Sequence, residues 1–344
     1  MPSNDLIAVA KAMVAPGKGL LAADESTGTI EKRFNSIKVE NTEENRRAYR
    51  DLLFTTKDLG KYISGVILYD ETLRQKSADG TSFVELLKKQ GIMPGIKVDA
   101  GAKALAMCPG EQITEGLDGL QKRCAEYAKM GATFAKWRAV ITIGKDIPST
   151  TCIEENAHAL ARYAAICQEA GIVPIVEPEV LMDGEHTIDR CEQVTEWTLN
   201  ALYDALYLNR VSLEGSVLKP NMVISGTLCR DQAGIDEVAE RTVRVLKRTV
   251  PAAVAGIVFL SGGQSDEVAT AHLNAMNRIF KGNLPWPLSF SYGRALQQAS
   301  LKAWKGGVTN VAAAQAALAH RSRMNSLACD ARYSADEEKQ AKAA

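Results

Sequence analysis

Eight short apolar segments recur along the chain, and this recurrence constrains the fold more than any other feature. They are residues 19–23, 63–68, 94–98, 133–138, 173–176, 216–219, 256–260 and 288–292. Neighbouring segments start roughly 30 to 45 residues apart, about the length of one strand–helix unit with its loops. Strands that alternate with helices form parallel sheets, and eight such units close into a barrel. We therefore predict an α/β fold, a single-domain (β/α)8 TIM barrel.

Apolar periodicity between these segments predicts the connecting helices. One amphipathic stretch has apolar residues at steps of three and four up to Tyr127, and Gly131 is its predicted C-terminal stop. Another stretch has capping-box spacing from Thr151 to Glu154, which predicts a helix start there and an end at Gly171. No linker or low-complexity block divides the chain. We expect residues 1–330 to form the barrel with an extra N-terminal helix, and residues 331–344 to form a charged, helical and mobile tail.

Net charge and the lack of long apolar runs limit the classes of partner that this protein is expected to bind. The chain of 344 residues carries 41 basic and 41 acidic side chains, so no net field attracts nucleic acid or an anionic membrane. No apolar run approaches the roughly 18 residues of a membrane span. The first six residues, MPSNDL, lack a signal-peptide pattern. We expect a cytoplasmic protein that binds neither nucleic acid nor membrane.

Cysteine and histidine usage argues against a metal cofactor. The seven cysteines contain no Cys-x-x-Cys pair, which is typical of a reduced compartment without structural zinc. The four histidines lie at 158, 186, 272 and 320, never at ligand spacing. We expect no cofactor and no transition-metal site, although a carboxylate-bound ion stays open.

Ionisable or polar residues end nearly every apolar segment. Catalytic groups of this barrel lie at the carboxyl ends of its strands. The residues in question are Asp24, Asp70, Lys97, Asp99, Lys136, Arg138, Glu177, Glu179, Lys219, Ser261 and Arg294. The structural alternative is that strand ends simply meet solvent.

Lys219 is the strongest candidate nucleophile because it lies within the apolar run 217–224. An unpaired buried ammonium is costly, so either a salt bridge or a chemical role must account for it. Desolvation and a second cation, here Lys136, favour the neutral amine that attacks a carbonyl. Glu177 and Glu179 are available for proton transfers. A lysine imine beside acid–base carboxylates is the apparatus of an aldolase.

Two glycine-containing loops form a candidate anion site. The seventh segment continues into Ser261, Gly262 and Gly263, and the eighth contains Ser291 and continues into Gly293 and Arg294. Converging backbone N–H groups bind anions, and the loops after the last two strands are the recurrent phosphate site of this barrel. An ordinary turn is the alternative. Asp24, after the first segment, either points into the barrel mouth or starts a helix.

Taken together, these motifs resemble the class I fructose-1,6-bisphosphate aldolases. The matching stretches, in order over about residues 20 to 305, are LAADESTG (21–28), GVIL (65–68), GIKVD (95–99), FAKWR (134–138), PIVEPE (174–179), LKPNM (218–222), FLSGGQ (259–264) and SFSYGRALQ (289–297).

The resemblance implies a role for each site residue. Lys219 would form the Schiff base, Glu177 would act as acid and base on the carbinolamine, Asp24 would exchange the C4-hydroxyl proton, and Lys136 and Glu179 would tune the site. The phosphate of the dihydroxyacetone-phosphate half would be held by Ser261, Gly262, Gly263, Ser291, Gly293 and Arg294. Ser26, Thr29 and Arg33 would contact substrate from the first loop, and Arg138 would lie near the other phosphate. The resemblance also implies a homotetramer.

Two departures from the vertebrate pattern affect these expectations. Ala100 stands where many relatives have a phosphate-binding lysine, so Lys97 or Lys103 would have to compensate. The chain ends in QAKAA rather than in a tyrosine, and its last aromatic residue is Tyr333. We therefore expect the residues after Tyr333 to be solvated, with little apolar area to bury, and dispensable for most activity.

Other functions are open at this point. A transaldolase or a deoxyribose-phosphate aldolase would share the lysine but would not need two phosphate sites. A metal-dependent aldolase would need histidine ligands. A non-catalytic scaffold on the same fold would be expected to have lost Lys219, Glu177, Asp24 or Lys136.

Overall fold

Eight parallel strands close into a barrel in the computed structural model, which describes residues 4–340. Strand neighbours run in the order β1, β10, β9, β8, β7, β6, β3, β2 and back to β1. The barrel strands are β1 (Gly19–Ala23), β2 (Ile63–Leu68), β3 (Met93–Lys97), β6 (Phe134–Ile141), β7 (Val173–Val180), β8 (Val217–Leu218), β9 (Ile257–Phe259) and β10 (Leu288–Tyr292); β4 (Ala102–Ala104) and β5 (Gln112–Thr114) form a separate hairpin. The predicted (β/α)8 barrel is confirmed.

Helices surround the strands and extend the chain at both ends. They are α1 (Asn4–Met13), α2 (Thr27–Ser36), α3 (Glu43–Phe54), α4 (Asp70–Arg74), α5 (Phe83–Lys89), α6 (Leu120–Lys129), α7 (Thr150–Glu169), α8 (Ile188–Leu208), α9 (Ile235–Thr249), α10 (Asp266–Ile279), α11 (Arg294–Trp304), α12 (Val311–Cys329) and α13 (Ala335–Gln340). The extra N-terminal helix is α1. Among the described residues, no helix is both long and apolar enough to cross a membrane.

Each of the eight apolar segments coincides with a barrel strand, but some bounds differ. β6 and β7 run on past the apolar segments, so that Arg138, Glu177 and Glu179 lie within strands. Their pairing sets Arg138 opposite Glu177. β8 is short and stops one residue before Lys219, whose N–H donates to the Val176 carbonyl at 2.8 Å. The lysine is thereby fixed at the end of its strand.

Two local predictions were wrong. Helix α7 begins after Ser149, whose hydroxyl accepts from the Cys152 N–H at 3.1 Å, so Ser149 rather than Thr151 is the N-cap. Buried Glu111 fixes this cap by accepting from the Ser149 N–H at 2.7 Å and hydroxyl at 2.6 Å. The β4–β5 hairpin was not predicted, because each strand has only three residues, too few for their alternation of apolar and polar side chains to be a signal.

Inside the barrel, a small apolar cluster fills the space below the polar strand ends. Its members include Leu20, Phe134, Ile175, Val217 and Val258, all fully buried. A larger cluster lies between the outer faces of the strands and the helices. The barrel interior is therefore a packed apolar core that supports the polar residues above it, and not a channel.

The tail differs from the expectation of a solvated segment. α13 follows a short connection after α12, and the Glu338 side chain is buried, with a residue exposure of 6%. Its carboxylate pairs with Arg321 of α12 at 2.6 Å. Residues 341–344, which also belong to the predicted tail, lie outside the described residues.

Gly95 of β3 tests the packing of the barrel interior. A Cβ atom there would lie 2.2 Å from the Phe134 ring, so we expect Gly95→Ala to lower the free energy of unfolding by about 1–3 kcal/mol. The matched control is Gly28→Ala in α2, where a Cβ atom meets nothing within 4 Å; it should leave stability unchanged or raise it by up to about 1 kcal/mol. Urea denaturation of both variants measures this, and equal stabilities would contradict the packing described.

Candidate active site

A cavity of about 250 Å³ opens at the carboxyl ends of the barrel strands. It is lined by Ala22, Asp24, Glu25, Ser26, Thr29, Arg33, Lys97, Lys136, Arg138, Glu177, Glu179, Lys219, Leu260, Ser261, Gly262, Ser291, Gly293 and Arg294. Of the predicted site residues, all line it except Asp70, Asp99 and Gly263. A larger groove of about 810 Å³ lies on the outer surface between α9 and α10, but its charged side chains are all exposed.

Lys219 and Glu177 form the centre of this cavity. Both side chains are about 5% exposed, and Lys219 Nζ lies 3.1 Å from Glu177 Oε1. The salt bridge expected of a purely structural lysine is therefore present. It borders an open cavity, however, and Glu177 is shared with a second lysine, which sets it apart from an ordinary buried pair.

Lys136 of β6 connects Glu177 of the neighbouring strand β7 with Asp24, which follows β1, a strand that is not its neighbour. Its Nζ lies 2.7 Å from Asp24 Oδ2 and 3.3 Å from Glu177 Oε2. Glu177 Oε2 is buried and accepts no hydrogen bond. Four charged groups are thus linked in the order Asp24, Lys136, Glu177, Lys219, and one carboxylate oxygen keeps a free lone pair.

The charges of this network set the protonation states of Asp24 and Lys136. Burial by itself raises the pKa of Asp24, but the charges of Lys136 and Lys219 outweigh it and hold that pKa well below its usual range. Burial by itself lowers the pKa of Lys136, but Asp24, Glu177 and Asp99 outweigh it and hold that pKa well above its usual range. Asp24 is therefore anionic and Lys136 cationic at neutral pH.

Arg138 and Lys97 carry positive charge along the rim opposite Asp24. Arg138 Nε donates to Glu179, whose side chain is 6% exposed, whereas the Arg138 side chain is 43% exposed. Burial lowers the pKa of Arg138, but Glu179 outweighs it and the pKa is raised. Lys97 Nζ donates to Asp99. Ala100 is exposed and does not line the cavity, nor does Lys103, so Lys97 is the lysine of this region that reaches it.

The loops after β9 and β10 meet on the other side of the cavity. Arg294, the first residue of α11, donates from Nη2 to the carbonyls of Ser261, at 3.2 Å, and Gln264. The Ser291 hydroxyl is buried without a hydrogen-bond partner. An unpaired buried hydroxyl facing a cavity is a group that a ligand can satisfy.

Gly262 and Gly263 have two reasons to be glycine. Gly263 has φ +71°, and among the described residues no acceptor meets the N–H groups of either glycine, which fits an anion-binding nest. A Cβ atom on either would also lie 2.2 Å from Met182. Of the two, only Gly262 lines the cavity.

Glu25 is a site residue that sequence reasoning missed. It is 7% exposed, lines the cavity, accepts from Gln297 at 2.8 Å, and pairs with Arg33 and with Arg50, the latter at 2.6 Å. Burial raises the pKa of Glu25, but the two arginines outweigh it and lower it. Its partners lie far along the chain, so spacing gave no signal beyond a carboxylate after an apolar run.

Two further residues of the first loop, Ser26 and Thr29, line the cavity beside Arg33, with their hydroxyl oxygens 3.1 Å apart. Asp70, by contrast, was wrongly placed among the candidates. It starts α4, accepts from Arg74 and from the Tyr127 hydroxyl at 2.9 Å, and does not line the cavity. Its strand turns directly into a helix that carries the side chain outward. Among residues 4–340, no three metal-ligating side chains converge on a common point.

The depressed pKa of Asp24 has a measurable consequence. A carboxyl whose folded pKa lies below its unfolded value, 3.8 here, contributes stability that is fully present above that value and is lost as pH falls. We expect Asp24→Asn to lower the free energy of unfolding by about 1–3 kcal/mol at pH 7, and this difference from wild type to shrink as pH falls from about 4 to about 2.

Urea denaturation over that pH range measures the difference. The control is Asp204→Asn, an exposed aspartate on α8, which should show no pH-dependent difference. A difference for Asp24→Asn that grows as pH falls would contradict the charge network.

Comparisons with known proteins show the family of this chain. A model of the class-I fructose-bisphosphate aldolase family matches residues 5–344. The probable fructose-bisphosphate aldolase class 1 of Xanthomonas campestris is 62% identical, over 95% of this chain and 98% of that protein. The cytosolic fructose-bisphosphate aldolase 4 of Arabidopsis thaliana is 57% identical, over 96% and 84%.

A solved structure of this family is also similar to the chain in fold and in sequence. The fructose-bisphosphate aldolase of Plasmodium falciparum, crystallised in a ternary complex with TRAP and a small-molecule inhibitor, superposes with a TM-score of 0.95 at 51% identity, covering 97% of both chains. The (β/α)8 barrel, the cavity at its carboxyl end and these similarities lead to one conclusion: the chain belongs to the class I fructose-bisphosphate aldolases.

Proposed function

We propose that Lys219 is the Schiff-base nucleophile of this aldolase, which cleaves fructose 1,6-bisphosphate to dihydroxyacetone phosphate and glyceraldehyde 3-phosphate. The observation that carries the proposal is the 3.1 Å contact between Lys219 Nζ and Glu177 Oε1 in a buried position at the cavity. The neutral amine adds to the C2 carbonyl of the sugar, and loss of water from the carbinolamine gives the iminium.

Glu177 is the proposed acid and base of these steps. One of its oxygens faces Lys219 and the other has a free lone pair, so it can take a proton from the ammonium and return one to the departing hydroxyl. Lys136, 3.3 Å away, holds the carboxylate in place.

Asp24 is the proposed base for carbon–carbon cleavage. It accepts the C4-hydroxyl proton as the C3–C4 bond breaks, and the bonding electrons flow into the iminium to give an enamine. Because its pKa is held low by Lys136 and Lys219, Asp24 is unprotonated when substrate arrives. Protonation of the enamine at C3 and hydrolysis of the resulting iminium then release dihydroxyacetone phosphate.

The charge of the cavity supports a substrate with two phosphates. Six basic side chains line it, at positions 33, 97, 136, 138, 219 and 294, against four carboxylates, at positions 24, 25, 177 and 179. We propose that Ser261, Gly262, Gly263, Ser291, Gly293 and Arg294 hold the phosphate of the dihydroxyacetone half, where free N–H groups and a buried hydroxyl are available. Arg138 and Lys97 are placed for the distal phosphate, Ser26, Thr29 and Arg33 contact substrate from the first loop, and Glu179 orients Arg138.

A non-catalytic scaffold is the competing hypothesis. A scaffold has no need of four buried charged groups, since each costs desolvation energy. In this chain the four groups are paired in one connected network beside a cavity, an arrangement whose retention is explained by chemistry.

Borohydride trapping tests the nucleophile. With dihydroxyacetone phosphate, we expect a three-carbon adduct on Lys219, located by peptide mapping. Lys219→Ala should abolish both the adduct and turnover, because it removes the amine that forms the imine. Lys103→Ala, on the exposed hairpin outside the cavity, is the control and should retain both. An adduct that maps mainly to Lys136 or Lys97 would overturn the assignment.

Metal independence follows from the same mechanism. Cleavage of fructose 1,6-bisphosphate should survive excess EDTA, because the iminium takes the electron pair that a metal-dependent aldolase would stabilise with its ion. Loss of activity that zinc restores would refute the Schiff-base mechanism.

We further propose that the protein acts in the cytoplasm as a homotetramer. Relatives named as cytosolic or cytoplasmic isozymes support the location. Exposed apolar side chains on α8, Tyr207 at 84% and Leu208 at 76%, support a subunit contact.

A further inference from the structure

One carboxylate of the tail is buried in a site built for it. Glu338 Oε1 accepts from Arg321 Nη1 at 2.6 Å and lies 2.7 Å from His320 Nε2, and Oε2 accepts from the Tyr333 hydroxyl at 3.0 Å. Burial raises the pKa of Glu338, but the hydrogen bonds from His320 and Arg321 outweigh it and lower the pKa to about 2. A helix as short as α13 is not stable alone, so these contacts dock it.

The guanidinium of Arg321, which pairs with Glu338, also donates hydrogen bonds to α10. The Arg321 residue is 3% exposed, and its Nη2 donates to the Asp266 carbonyl at 3.2 Å and to the Thr270 hydroxyl at 2.6 Å. Asp266 is the first residue of α10. One guanidinium therefore joins the tail to the first turn of that helix.

Helix α10 in turn contacts the proposed phosphate loop and Arg294. Gln264, two residues before the helix, is 6% exposed, and its side-chain oxygen lies 2.6 Å from His272 Nδ1 of α10. Arg294 donates to the Gln264 carbonyl and lies 3.7 Å from the Asp266 carboxylate. Asp266 is thus contacted both by Arg294, through its carboxylate, and by Arg321, through its carbonyl.

We propose that Glu338 is a positioning residue for the phosphate site, acting through Arg321 and the first turn of α10 on Arg294. This inference rests on the proposed assignment of Arg294 to the phosphate of the dihydroxyacetone half. Without Glu338, Arg321 is a buried cation without its carboxylate, and it gains by leaving the first turn of α10 for solvent. That movement frees the loop and Arg294 from their shared anchor.

A double-mutant cycle on Glu338 and Arg294 tests the coupling. We expect Glu338→Ala to raise KM for fructose 1,6-bisphosphate about 3- to 10-fold and to change kcat less than about twofold, because binding alone is weakened. Arg294→Ala should raise KM at least about tenfold. The double variant should have the KM of Arg294→Ala, since Glu338 then has nothing to position.

Two further variants separate positioning from general stability. Glu337→Ala removes the neighbouring carboxylate, which pairs with Arg323 near the surface at 2.6 Å, and should leave KM unchanged. Glu338→Gln keeps the size and one acceptor oxygen, perturbs folding less than alanine, and should raise KM in the same direction by a smaller factor. Hydrogen exchange should speed up in residues 261–270 of both Glu338 variants but not of Glu337→Ala.

The outcomes distinguish this inference from the assignment on which it rests. An unchanged KM in both Glu338 variants, or an equal KM factor with and without Arg294, would overturn the positioning role and leave the phosphate site standing. An unchanged KM in Arg294→Ala would overturn both.

Discussion

The pairing of buried charges at the carboxyl end of the barrel is the constraint on which the rest of the site depends. Lys136 lies between Asp24 and Glu177, and Glu177 lies between Lys136 and Lys219. None of these groups is tolerable in such a place alone. Their spacing requires that β1 and β8 end at the level of Lys136 in β6 and Glu177 in β7, which the closed parallel barrel provides.

The same network explains how one cavity supports two kinds of chemistry. Asp24 is kept anionic by two lysines, whereas Glu177 keeps one oxygen without a hydrogen bond. The two carboxylates are therefore suited to different proton transfers although they contact the same Lys136. Differences in environment, rather than in residue type, divide the roles. The groups proposed to bind phosphate lie outside the network, on loops that glycine and Arg294 shape.

The strands and most of the site could be predicted from the sequence, because buried parallel strands are apolar runs and their polar ends stand out. The prediction that Asp70 belongs to the site was wrong because a helix starts at that residue. The apolar pattern of the preceding strand contains no sign of this helix start. Glu25 and Glu338 were missed because their partners, such as Gln297 and Arg321, are distant in sequence and hydrophobic periodicity says nothing of ion pairs. The tail shows this most clearly: its composition is typical of a solvated segment, yet a single buried ion pair docks it.

A crystal structure of the protein soaked with dihydroxyacetone phosphate tests the central claim most directly, because it shows the covalent bond and the phosphate contacts together. The account predicts continuous density from Lys219 Nζ to the C2 carbon of the ligand, with Glu177 beside that bond. It also predicts the phosphate between Gly262, Ser291 and the first turn of α11. Ligand without a covalent link to Lys219, a link to Lys136, or a phosphate bound elsewhere would contradict it.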